Sequence, residues 1–200
     1  LTEPASILAG AEPRWMPLSS LRRLKAPRGL VRWLADDASL TRRLQCACGA
    51  GFHVRVVHQG WGRPSPGESR LLQMRRAETA ILRAVELRCD ADPWVYARTV
   101  IPARSLRGSV RRLARLGSRP LGGVLFADPG VRRGLTQVAR LLPGHSLFRA
   151  AAASLRQSPE ELWGRRTLFY LCGRGLLVNE IYLPRVPSDP TEHRHGTYRD

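Results

Sequence analysis

Lysine is almost missing from this chain: Lys25 is the only one, although Lys and Arg together number 33 against 16 acidic residues. The net charge of +17 is therefore carried by arginine. The arginines recur as pairs along the whole length, at Arg22–Arg23, Arg42–Arg43, Arg75–Arg76, Arg111–Arg112, Arg132–Arg133 and Arg165–Arg166. So even a spread, in a chain rich in Ala, Gly and Leu, reads as a composition preference; a nucleic-acid footprint gathers its cations on one patch or stripe. Zinc-finger spacing, a basic zipper and an aromatic–glycine RNA-binding box are also absent. No nucleic-acid partner is expected, and the bland reading is a solvated basic surface that attracts anionic small molecules or lipid headgroups.

Long apolar runs are missing too. Nothing approaches the roughly 18 consecutive apolar residues of a membrane span, and the N-terminal residues lack a positive region followed by an apolar one. The expectation is a cytoplasmic protein with no integral membrane segment, made on a chain that starts at Leu1 rather than Met. Cysteine is scarce: Cys46, Cys48, Cys89 and Cys172 include one close pair, whose single-residue spacing fits neither a zinc knuckle nor a redox CxxC. Reduced, mostly buried thiols are expected. His193 and His195 form an HxH beside Glu192, in a polar tail better read as solvated than as a metal site.

What the chain does have is enough apolar residues, 43% of 200, for one globular domain with a sizeable core. The pattern divides it into an irregular arm (1–27), a folded region (28–184) and a polar tail (185–200). Leu30, Val31, Trp33 and Leu34 lie at helical spacing, and a second helix is expected to start near Ser39, a good N-cap that leaves backbone N–H groups at Leu40 and Thr41 free for an anion. Strands are expected at 51–61, 79–89 and 94–102, with GRPSPGES after the first of them as a loop. An Arg-rich helix is expected at 105–116, a short one at 120–126, another at 131–142, and an Ala-rich helical stretch before a hairpin at 165–184. Strands joined by tight turns, with helices before and between the hairpins, give an α+β fold: a single antiparallel sheet with helices packed on one face and short helices or loops hiding the other.

The hairpin carries the chemistry. In LWGRRTLFYLCGRGLLVNEIYLP, with its turn at Gly173, Arg174 and Gly175, the second strand is apolar on both faces yet holds Glu180 in line with Leu176, Val178 and Tyr182. A buried carboxylate needs a partner or a wet cavity. Arg83 interrupts the row Ile81, Val85, Leu87 in the same way, and Arg98 is a weaker candidate of this kind. Two readings stand at even weight: Arg83 and Glu180 pair with each other, or they face opposite ends of a ligand, Arg83 gripping a carboxylate bidentately.

These residues resemble a known family. The hairpin, together with PWVYARTVIP, LGSRPLGGVLF and WLADDASLTRRL, is similar to chorismate pyruvate-lyase, and the blocks occur in the family's order over about residues 28–184. The resemblance implies a monomeric, cofactor-free and metal-free enzyme of bacterial ubiquinone synthesis. It would convert chorismate to 4-hydroxybenzoate and pyruvate on an antiparallel sheet with helical flaps over an internal site. It places the family's site arginine on Arg83, its glutamate on Glu180, and two ligand-contacting positions on Leu40 and Leu121, so that Arg83 and Glu180 are the expected catalytic pair and all four bind substrate. Leu40 stands where methionine is common, which matters little if the backbone binds. The stretch from about 140 to 161 is longer than in compact members and is expected to reshape a flap. The same fold also resembles the effector-sensing domain of certain bacterial winged-helix repressors. With only about 27 residues before the matched region, too few for a winged helix, the alternative is a solitary, non-catalytic domain that binds an aromatic carboxylate.

Overall fold

Four segments dominated by apolar residues become the central strands of one sheet, and short capped helices fill the spaces between them. The computed structural model describes residues 10–125 and 127–188. In chain order the elements are β1 (Met16–Pro17), α1 (Arg28–Ala35), α2 (Leu40–Cys48), β2 (Phe52–Gly62), α3 (Pro66–Leu71), β3 (Ala80–Cys89), β4 (Asp92–Pro102), a 3-10 helix (Gly108–Arg115), α4 (Leu121–Leu125), β5 (Val131–Leu141), α5 (Ser146–Ala152), β6 (Leu162–Leu171) and β7 (Arg174–Tyr182). Among the described residues the sheet has seven strands in the order β1-β5-β6-β7-β4-β3-β2, with every pair antiparallel.

Both faces are covered. On one, Trp33, Leu34, Leu40 and Leu44 of α1 and α2 pack on Val85, Leu87, Ala97 and Trp163. Beside them Val110, Leu113 and Leu125 pack on Ile81, Ile101, Phe169 and Val178. On the opposite face Leu147, Phe148 and Ala151 of α5 lie against Ala84, Tyr96 and Ile181, and Leu72, just past α3, meets Leu82, Val100 and Leu177. This is the α+β sheet that the turn spacing predicts. The 140–161 segment carries α5, which lies on the face away from α2 and α4.

Four expectations are corrected. Residues 131–142 form a strand, because β6 needs a partner on its free edge and edge pairing outweighs weak local preference. The register slips between Arg133 and Thr136, which breaks the period-two pattern that would have announced the strand. The GRPSPGES segment is not all loop: Ser65 Oγ accepts from Glu68 N, the Glu68 carboxylate accepts from Ser65 N, and Pro66 starts α3. The hairpin turn is Cys172–Gly173, both at positive φ (50° and 74°), as a two-residue turn requires, and Arg174 and Gly175 already belong to β7. Lastly, the cysteines are neither all reduced nor mostly buried. Cys48 at the end of α2 is bonded to Cys89 at the end of β3, with Cα atoms 5.6 Å apart, while Cys46 and Cys172 are exposed. The arm is also tied down, since Met16 and Pro17 pair with Val138 and Gln137.

Arg98 falls on the α5 face. There its Nε donates to Glu68 Oε1 at 3.1 Å, and Asn179 Nδ2 donates to the same oxygen at 2.9 Å. Glu68 thus caps α3 with one oxygen and satisfies two buried donors with the other.

Two outcomes follow for stability. Glu68→Ala strips a buried guanidinium of its carboxylate and is expected to cost about 3 kcal/mol or more, read as a lowered urea midpoint, with Glu68→Gln milder. The Cys48–Cys89 bond closes a 41-residue separation. Dithiothreitol is expected to lower the unfolding free energy by up to about 4 kcal/mol, the chain-entropy value for such a loop; Cys48→Ser gives the same loss and no further response to dithiothreitol.

Candidate active site

Helix starts and strand parity build one partly enclosed site. Asp36 ends α1, its Oδ1 accepting from Ala38 N at 2.9 Å, and Ser39 then opens α2 with its Oγ accepting from Arg42 N at 3.4 Å. The first N–H groups of a helix have no acceptor within it, and Leu40 and Thr41, in the first turn of α2, line a cavity. Pro120, Leu121 and Gly122, at the start of α4, line the same cavity. The two helix starts touch: a Cβ on Gly122 would lie 2.7 Å from Thr41 Oγ1 and 3.2 Å from Ser39 Oγ. Glycine at 122 is what permits this approach.

The floor is the sheet. Arg83, Val85 and Leu87 of β3, Ala97 and Thr99 of β4, Val178 and Glu180 of β7 and Phe169 of β6 all face the cavity. Arg83 lies in register with Thr99, which pairs with Val178, whereas Glu180 pairs with Ala97. Two strand spacings, about 10 Å, and two residues, about 7 Å, therefore separate the backbones of Arg83 and Glu180. All four residues predicted for the site, Leu40, Arg83, Leu121 and Glu180, line this one cavity. Arg98 does not, since its parity sends it to the other face. The volume is about 50 Å³, room for a few waters and far below the several hundred Å³ of a typical small-molecule pocket. A ring-sized guest fits only if the covering helices shift.

The ions do not pair with each other. Arg83 is 2% exposed, and its Nη2 donates to Gly117 O at 2.9 Å and Arg119 O at 3.1 Å, in the loop leading into α4. Its Nε is buried with no hydrogen-bond partner. Burial pulls its pKa down from the ordinary arginine value. A buried guanidinium held only by carbonyls, with its Nε unused, is a receptor for an anion.

Glu180 is held by a residue that the sequence reading passed over as one more arginine pair. Arg165 on β6 sits directly opposite Glu180, and its Nε donates to Glu180 Oε2 at 2.7 Å. Its Nη1 donates to Trp33 O at 3.1 Å and also to Asp36 O. Tyr182 Oη donates to Trp33 O at 3.0 Å. Burial alone would pull the Arg165 pKa down, yet Glu180 and the neighbouring groups raise it overall; Tyr182 is pushed up, chiefly by burial.

The one cluster of metal-type donors among the described residues, Cys48, Cys89 and Asp90, has both sulfurs committed to the disulfide. His193, His195 and Glu192 lie outside the described residues.

Comparison with known proteins agrees with the geometry. Residues 14–189 match the family model described as chorismate lyase. A probable chorismate pyruvate-lyase of Methylococcus capsulatus is 46% identical over 158 residues, covering 79% of this chain and 96% of the relative. One from Azoarcus sp. is 46% identical over 172 residues, covering 82% and 90%. Among solved structures, a GntR-family transcriptional regulator from Bacillus cereus aligns with a TM-score of 0.51 at 12% identity, covering 68% of this chain and 93% of that one, which is a likeness of fold. No described helix is long and apolar enough to cross a membrane. With the family model spanning nearly the whole folded region and the motif residues converging on one cavity, the chain belongs to the chorismate lyase family.

Proposed function

We propose that this protein is a chorismate pyruvate-lyase that eliminates pyruvate from chorismate and leaves 4-hydroxybenzoate, working as a monomer without metal or cofactor and feeding ubiquinone synthesis. The observation that carries the reading is the partly enclosed, largely apolar cavity with a buried cation at one end and a carboxylate at the other, not paired with each other. Chorismate is a dianion. Loss of its enolpyruvyl ether together with a ring proton makes the ring aromatic, so the reaction is strongly downhill once the C–O bond loosens. What the protein must supply is anion clamps, exclusion of water and orientation.

Arg83 is the dominant clamp, its buried Nε being an unused donor. The N–H groups at Leu40 and Leu121 add two fixed dipoles from the covering helices. Val85, Leu87, Val178 and Phe169 supply a wall on which a flat ring can lie. Glu180 takes the hydroxyl end. The chain's net charge of +17 favours capture of a doubly negative substrate.

Purified protein incubated with chorismate, with neither metal nor cofactor added, is expected to release 4-hydroxybenzoate and pyruvate in equal amounts. Arg83→Ala and Glu180→Gln, made separately, are each expected to lower turnover by about 100-fold or more. Near-normal turnover in both would remove these residues from the mechanism, and tight binding of 4-hydroxybenzoate with no turnover of chorismate would turn the site into a sensor.

A further inference from the structure

We infer that Arg165 is the positioning residue of this site: it keeps the Glu180 carboxylate ionised and in one orientation, so that Glu180 meets the hydroxyl end of the substrate as a hydrogen-bond acceptor and never as a proton donor. The inference rests on the chorismate reading and adds to it the protonation state and aim of its carboxylate.

The geometry divides the two oxygens of Glu180 between two tasks. Oε2 is taken by Arg165 Nε at 2.7 Å. Oε1 accepts no hydrogen bond from any described residue, and the side chain lines the cavity. Arg165 cannot drift from this pose. It is 1% exposed, and its Nη1 is occupied by Trp33 O and Asp36 O, carbonyls at the C-terminal end of α1 where a helix is short of donors. A guanidinium bonded on two sides in a dry interior holds its neighbour's charge more firmly than a solvated one would. Were Glu180 protonated, Arg165 would lose the charge of the one carboxylate that is hydrogen-bonded to its Nε.

Other charged and hydroxyl groups lie around Glu180 on the neighbouring elements. From β5, Arg133 adds a second cation, its pKa lowered by burial and by Arg165. Tyr182, on β7 with Glu180, has its hydroxyl proton on Trp33 O. Asp36 and Asp37, past the end of α1, are the nearby acids, and Asp36 is in an ion pair with Arg43. Thr41 faces the cavity from α2, and Arg83 from β3 at its far end.

An ionised Glu180 suits the reaction. As the ether C–O bond breaks, its electron pair leaves on the enolpyruvate oxygen and the ring becomes electron-poor. The proton on the ring carbon bearing the hydroxyl is lost to the methylene carbon of the departing enolpyruvate, which becomes the methyl group of pyruvate. One dianion yields two monoanions and no co-reactant is consumed. A carboxylate accepting a hydrogen bond from the hydroxyl pushes electron density into the ring as positive charge develops there.

The test measures kcat and KM between about pH 5 and about pH 9 for the wild type, Arg165→Met, Arg165→Lys, Glu180→Gln and the Arg165→Met/Glu180→Gln double variant. Removing the guanidinium leaves the Glu180 carboxylate without the cation bonded to it, so activity is expected to fall first on the acid side. Arg165→Met is expected to lose about 10-fold or more in kcat at neutral pH, to fall further in acid and to recover in base. The wild type stays flat on the acid side, and Arg165→Lys keeps most of its activity. In the Glu180→Gln background Arg165→Met costs less than about 2-fold more, because its effect passes through Glu180. Wild-type activity that rises as pH falls, a loss in Arg165→Met that is equal at every pH, or additive losses in the double variant would each overturn the inference. If Arg165→Met does not fold, the double variant, the lysine variant and the wild-type profile still decide. Difference infrared spectra of Glu180 in the wild type, showing a carboxylate band at about pH 5, read its charge without turnover; they separate failure here from failure of the chorismate reading, which is the absence of 4-hydroxybenzoate from the wild type at any pH.

Discussion

A charge buried inside a sheet has to be answered across a strand, and the β6–β7 hairpin answers it by register. Closing the turn at Cys172–Gly173 sets Leu171 opposite Arg174, and six residues outward on each strand brings Arg165 opposite Glu180. From that pair the guanidinium reaches the end of α1, which sets where the chain turns into α2 and hence where Leu40 meets the cavity. The carboxylate and one of the helix starts that surround the ligand space therefore share a single anchor. The arrangement is worth more for where it holds groups than for stability, since a buried ion pair repays little beyond its own desolvation.

The sheet also acts as a partition. Neighbouring residues on a strand face opposite ways, so Glu180 and Asn179, adjacent on β7, serve two separate polar clusters. Glu180 works with Arg165 over the cavity, while Asn179 works with Arg98 and Glu68 under the cover of α3. Apolar residues at the sheet's centre keep the two networks apart. The arginine in each network has a carboxylate of its own.

Much of this was legible from the residues. Parity alone put Arg83 and Glu180 on inward faces, Ser39 announced the start of α2, and the turn spacing foretold antiparallel pairing. Arg165 was legible in principle, because the hairpin count leads to it, but it sat among so many arginine pairs that its place opposite Glu180 gave no contrast. The S-P-G-E start of α3 was likewise written in the chain and was obscured by its prolines and glycines. Other features lay beyond any local pattern. That 131–142 pairs with β6 depends on an edge waiting elsewhere in the fold, with Gly134 and Leu135 at the slip that erases the strand's alternation. Cys48 and Cys89 are far apart in sequence and meet only because α2 lies across the sheet.

That bond fixes α2 at one end only. Its C-terminus is stitched to β3 covalently, while its N-terminus, over the cavity, rests on hydrogen bonds around Asp36 and on the close approach to Gly122. The edge of α2 that carries Leu40 is therefore the one without a covalent tie. It packs closely on Gly122, and the loop leading into α4 is clasped by the Arg83 guanidinium on the carbonyls of Gly117 and Arg119. The guanidinium that faces the cavity is thus also the one that secures its cover.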